Sequence, residues 1–148
     1  MTRIGFEIVV TTEVFTYTNP DTGVEEFFNV TAVQQELPRL LALGQAEVVE
    51  TLLTDDHVDM IRRCRGVEQE RLDAIPKDRL DVPVIAFITG PDSALSIDGH
   101  HRMVKRHELG MKTVRMVLIQ ENLRRQFSLS RAEVDEMTAI PTFGGRHG

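Results

Sequence analysis

Residues 4–18 are rich in Ile, Val, Phe, Thr and Tyr, side chains that fit the pleated, half-buried surface of a strand. Between Glu13 and Thr18, Phe15 and Tyr17 alternate with Val14, Thr16 and Thr18, which predicts one aromatic face and one mixed face. Asn19-Pro20-Asp21-Thr22-Gly23 is a dense turn signal, and a second strand-like run, Glu25 to Val30, follows it. Together they predict a β-hairpin over about residues 4–30. Thr31 then reads as a helix N-cap, with Val33, Leu37, Leu40, Leu41 and Leu43 at helical spacing as far as Gly44. Pro38 inside that pattern predicts a kink or two short helices. The pattern continues as a further helix over 45–53, with Val48, Val49, Leu52 and Leu53 inward. Thr54 or Asp55 caps a third, whose face carries Val58, Ile61 and Cys64 and which stops at Gly66. Residues 67–81 are highly charged and read as a surface crossing pinned by Leu72, Ile75 and Leu80.

The second half is patterned more clearly. Val82 to Ile88 is a buried strand, with Pro83 near its start, where a missing N–H is tolerated. Gly90-Pro91-Asp92 is a turn, Ala94 to Ile97 a short strand, and His100 to Leu109 a helix ended by Gly110. Lys112 to Ile119 alternates Val114, Met116 and Leu118 against Arg115 and Val117, as a strand does. The segment 121–138 carries a last helix, beginning at Ser130, where Glu133 completes a capping box. Phe143 to Gly148 reads as a frayed end. The pattern predicts an α+β fold: a small mixed β-sheet with packed helices, in one domain over residues 1–148, with its core at about 55–119.

Composition narrows the function. The apolar share, 41%, suffices for a packed core. The net charge of −6 argues against broad DNA binding, which rests on Lys and Arg neutralising phosphates. A single cysteine, Cys64, excludes an internal disulfide and Cys-rich zinc sites, and reads as a half-buried helix thiol. No run approaches the roughly 20 apolar residues of a membrane span, and Met1 to Val10 lacks the apolar run of a signal peptide. The expected compartment is the cytoplasm.

The segment that carries chemistry is Ile97-Asp98-Gly99-His100-His101-Arg102. A strand ends at Asp98, Gly99 allows a sharp turn, and a helix starts at once. The N–H groups of a helix start attract anions. Arg102 adds a bidentate donor suited to phosphate. First helical turns favour Asp and Glu, so His100, His101 and Arg102 break a local preference, as functional sites do. The plainer alternative makes Asp98 an N-cap and the two imidazoles exposed surface.

Val82-Pro83-Val84-Ile85, then this motif, then Leu109-Gly110 and Thr113-Val114 resemble the core of the ParB/sulfiredoxin-like superfamily over about residues 80–119. The Asp-Gly-His-His-Arg version is similar to the branch with free-serine kinases and many bacterial and phage proteins. The resemblance implies that Gly99, His100, His101 and Arg102 hold nucleotide phosphates and that Asp98, His100 and His101 are catalytic. In this role Asp98 orients His100 or a magnesium-bound water, and the imidazoles contact or protonate phosphate oxygens. It implies a nucleoside tri- or diphosphate with Mg²⁺, and a distant acidic base for which Glu47, Glu50, Glu68 and Glu70 are candidates. The sequence also departs from the superfamily. Sulfiredoxins place a catalytic cysteine where His100 stands, and only 29 residues follow Ile119, too few for the DNA-binding and dimerisation domains of partitioning ParB proteins.

Other readings compete. Asp98, His100 and His101, with His107, offer ligands for a transition metal. Adjacent helical residues point about 100° apart, which disfavours a shared ion, and no metal site is assigned. Arg102, Lys105, Arg106, Lys112, Arg115, Arg124 and Arg125 are candidates for a basic stripe serving a DNA-linked role, such as a ParB-like nuclease. Phe15, Tyr17, Phe27 and Phe28 are candidates for an exposed hairpin face that meets a protein partner or a second copy in a homodimer.

Overall fold

A computed structural model describes residues 12–139, the last two by their backbone alone. The strand expected over 4–11 and the frayed end at 143–148 lie outside the described residues. The fold is mixed α+β and begins with the hairpin that the turn signal predicts. Strands β1 (Val14–Thr18) and β2 (Glu25–Asn29) pair antiparallel, and β7 (Ser128–Leu129) joins β2 in a three-stranded sheet. A four-stranded sheet runs β3 (Ala46–Leu52), β6 (Thr113–Ile119), β4 (Val84–Gly90), β5 (Ser93–Asp98). Within it β4 and β6 are parallel, and the other neighbours are antiparallel.

The apolar run of β4 explains the layering. Val84, Ile85, Ala86 and Phe87 are all buried, as in a strand covered on both faces. Ile85 and Phe87 pack with Phe28, Ile97, Ile119 and Phe127 in one cluster. Val84 and Ala86 face the other cluster, with Val58, Ile61, Leu72, Met103 and Val104. The first cluster is closed by α1 (Val30–Ala42) and the hairpin. The second is closed by α2 (Asp55–Cys64), α3 (Gln69–Asp73) and α4 (His100–Glu108). A last helix, α5, spans Arg131–Ala139, and the reciprocal Ser130–Glu133 capping box ahead of it is formed at 2.9 and 3.1 Å.

Several local expectations are corrected. Residues 45–53 are not a helix: Ala46 to Leu52 is β3, paired residue by residue with β6. Val48, Val49 and Thr51 are β-branched, and a full ladder of partners on β6 outweighs the helical spacing of Val48, Val49, Leu52 and Leu53. Val48 and Leu52 are exposed on this edge strand. Asn29, not Thr31, caps α1, accepting from the Ala32 N–H at 2.9 Å. The Thr31 hydroxyl instead accepts from the Glu13 N–H at 2.7 Å and ties the start of the hairpin to α1. Pro38 sits inside one continuous helix and does not divide it. Leu41 and Leu43, expected inward, are exposed. Residues 67–81 do cross the surface with Leu72 and Leu80 buried, but they contain α3 and a 3₁₀ turn, Lys77–Arg79. Cys64 is exposed, not half-buried.

The hairpin aromatics face inward. Phe27 and Phe28 are buried, and Phe15 and Tyr17 pack against the first cluster. No helix among the described residues is long and apolar enough to cross a membrane.

Candidate functional site

The motif forms the expected strand, turn and helix. β5 ends at Asp98, Gly99 has φ +103°, and α4 begins at His100. A Cβ on Gly99 would lie 2.9 Å from Val84 Cγ2 and 3.0 Å from Arg102 Nη2, so the turn needs glycine for both its angle and its space. The Met103 N–H closes the first helical hydrogen bond, on the Gly99 carbonyl at 3.0 Å. The N–H groups of His100, His101 and Arg102 precede it and have no intrahelical acceptor.

This turn forms one wall of a cleft of about 440 Å³. Asp98 to Arg102 supply that wall, Glu13 and Phe15 another, and Arg65, Arg71 and Arg79 a third. Four guanidiniums thus meet two carboxylates, an excess of two positive charges in a chain whose net charge is −6. Arg71 and Arg79 are exposed at the cleft.

The four predicted motif residues have distinct surroundings. His100 is buried, its Nε2 lies 2.9 Å from Ser96 Oγ, and its ring meets Phe15 at 5.4 Å between centroids. Burial, then the nearby Arg65 charge, lowers its pKa to about 4. It is therefore neutral at pH 7 and acts there as a hydrogen-bonding ring and not as an imidazolium acid. His101 is partly exposed, and its Nε2 accepts from the Glu68 N–H at 3.3 Å, tying α4 to the start of α3. Its pKa is also lowered, by desolvation first and Arg71 second. Asp98 accepts from the Gln34 side chain at 3.1 Å and pairs with Arg102 at 3.7 Å. Arg102 donates from Nε to the Val82 carbonyl at 3.2 Å and from Nη2 to the Pro83 carbonyl at 3.0 Å. Its guanidinium fastens the entry to β4, and Nη1 is the nitrogen without a protein acceptor among the described residues.

The linkage of His100 to stability has a definite sign. As pH falls through 6.5 the unfolded chain takes up a proton that the folded chain refuses until about pH 4. The contribution of His100 to stability therefore declines across that window and is level above it. Urea unfolding from pH 7.5 to 5.0 is expected to show the decline, and His100→Gln to reduce its slope. An unchanged slope in that variant would mean that His100 is not the group responsible.

Of the remaining candidates, Glu68 lies beside the turn through its N–H on His101 but does not line the cleft. Glu47 and Glu50 lie on edge strand β3, and Glu50 accepts from Thr113 Oγ1 at 3.1 Å. Glu68 and Glu70 are exposed beside α3 and do not line the cleft. Besides Asp98, the acidic residue that does is Glu13, whose pKa is raised by desolvation first and by Asp98 second. His107 bonds Asp55 at 2.7 Å across α4 and α2, and no group of three or more metal-binding side chains forms among the described residues. The expected basic stripe is largely committed to the scaffold. Arg106 donates to the Thr113 and Leu80 carbonyls, both at 2.9 Å, and Arg115 to the Asp81 carbonyl at 2.8 Å. Arg124 is paired with Glu26.

Sequence reasoning missed Glu13, Phe15, Arg65, Arg71 and Arg79 as cleft residues. Their one trace in the sequence is the density of arginine between residues 62 and 79 of an acidic chain. No family model, curated protein or solved structure matches the chain.

Proposed function

We propose that the cleft binds a nucleotide through its phosphates and that the chain hydrolyses the nucleotide or transfers a phosphoryl group there. The observation that carries this reading is the excess of guanidinium at a helix start in a chain that is acidic overall. The resemblance of the motif to ParB/sulfiredoxin-like proteins supports the same ligand. Arg71 and Arg79, exposed at the cleft, receive phosphate oxygens, with the His100–Arg102 amides and Arg102 Nη1 behind them. Glu13 takes the role of the acidic base, since a carboxylate with a raised pKa is a stronger proton acceptor.

With Glu13 as base, Asp98 is the cleft carboxylate that would hold Mg²⁺ together with the phosphates, since Mg²⁺ ordinarily takes one or two carboxylates from a protein. Bound there with the nucleotide, Mg²⁺ would supply charge neutralisation at the phosphoryl oxygens.

Calorimetry with ATP, CTP, ADP and Mg²⁺ tests the reading. Binding tighter than about 1 mM by at least one of them is expected. Arg79→Ala should weaken it by roughly ten- to a hundredfold, the worth of one charged hydrogen bond, with the melting temperature unchanged. Plasmid DNA incubated with the protein and Mg²⁺ or Mn²⁺ should stay intact. A panel that shows no binding into the millimolar range removes the proposal.

A further inference from the structure

Arg65 stands apart from the other arginines of the cleft. It follows the last residue of α2, and its guanidinium lies over the Phe15 ring at 5.2 Å and the Tyr17 ring at 5.7 Å. Its Nε is buried and has no hydrogen-bond partner among the described residues. Buried donors are nearly always satisfied; this one is shut off from solvent beside the two rings, so the rings and not a protein acceptor hold the guanidinium in place. Arg65 also lines a second cavity, of about 500 Å³, on its other side. Phe15 lines the first cavity and Tyr17 the second, and the two share one face of β1. A single strand face thus runs from one cavity to the other beneath one guanidinium.

The second cavity differs in chemistry. Tyr17, Met60, Ala94 and Leu95 give it apolar surface, Thr89 and Asn19 add polar groups, and the guanidinium of Arg124, which also lines it, is already paired with Glu26. That combination suits an uncharged, flat group with hydrogen-bonding edges, and an aromatic ring is a platform for any nucleobase.

Resting on the nucleotide reading above, we infer that the second cavity is the nucleoside subsite. Arg65 is the positioning residue at the junction, bridging the phosphate chain on one side and the nucleoside on the other. The ligand is then an extended nucleoside polyphosphate, not a lone phosphate or a short phosphomonoester.

The sequence supplies a reporter, because Tyr17 is the chain's one tyrosine and there is no tryptophan. Intrinsic tyrosine fluorescence therefore reports on the second cavity and on the Arg65 guanidinium above the ring. The test compares ATP with inorganic tripolyphosphate, each with Mg²⁺, on the unaltered protein and on Ala94→Phe and Arg65→Lys. Ala94 is exposed on β5, where an aromatic side chain suits a strand, so Ala94→Phe fills the cavity without touching the core. ATP is expected to bind at least about tenfold tighter than tripolyphosphate and to change the Tyr17 emission more than tripolyphosphate does. Ala94→Phe should abolish that tenfold advantage and leave tripolyphosphate binding as it was. Arg65→Lys should weaken both ligands and shift the Tyr17 emission of the unliganded protein. Equal affinities for the two ligands, or an advantage that survives Ala94→Phe, would overturn the subsite while leaving the phosphate cleft standing. Failure of both ligands to bind would overturn the cleft and the subsite together.

Discussion

Arg102→Ala is expected to lower the stability of the fold by about 3–5 kcal/mol, a fall of roughly 10 °C in melting temperature for a chain of this size. The side chain is 12% exposed, donates to the Val82 and Pro83 carbonyls and faces Asp98, itself 16% exposed. Truncation leaves two carbonyls without their charged donor at the entry to β4, and a carboxylate without its counter-ion. Lysine does not restore this, because one ammonium cannot reproduce the planar fork that spans both carbonyls. Urea denaturation of Arg102→Ala, Arg102→Lys and Arg79→Ala separates the two kinds of arginine. The first two should unfold early, and Arg79→Ala should unfold like the parent. An Arg102→Ala protein of undiminished stability that had lost only its ligand would show that the guanidinium belongs to the ligand and not to the scaffold.

Gly99→Ala should cost about 2–4 kcal/mol, from backbone strain and from overpacking together. The backbone is held at φ +103°, where an L side chain is strained. The added methyl would meet Val84 Cγ2 at 2.9 Å and Val84 Cα at 3.2 Å, and the second of these is backbone that cannot rotate away. Val84 is wholly buried in the central strand, so relief has to come from a shift of β4 or of the start of α4. Either movement carries the cleft wall with it, so affinity for the nucleotide proposed above should fall in the same variant. A calorimetric melt beside a binding isotherm checks both. Gly23→Ala is the control: it has positive φ but nothing within 4 Å of an added Cβ, and should cost less.

The sequence was most readable where the physics is local. The apolar run at β4, the glycine turn after Asp98 and the Ser130 capping box each need only a few neighbouring residues, and each is present. β3 was misread because four apolar residues at 48, 49, 52 and 53 fit a helical face as well as a strand. Its pairing with β6 is a long-range event that no local window contains. The candidate site divides in the same way. Its turn was legible from five consecutive residues, whereas Glu13, Arg65, Arg71 and Arg79 reach it only through the packing of the hairpin, α2 and α3. The role of Arg102 was hidden for a related reason. A guanidinium suited to phosphate is equally suited to backbone carbonyls, and only the position of β4 decides between them.

The cleft is assembled from residues 13–15, 65–79 and 97–102, which meet only when the hairpin and the helices α2 and α3 have packed around the four-stranded sheet. A fragment that holds the glycine turn alone has no cavity, and a chain still leaving the ribosome has none until its second half is made. Any molecule seated there is consequently a wager on the finished polypeptide. At a hundredfold over its dissociation constant it would hold the native form by about 2.7 kcal/mol more than the empty chain, so cellular abundance of the protein would track the supply of its own ligand.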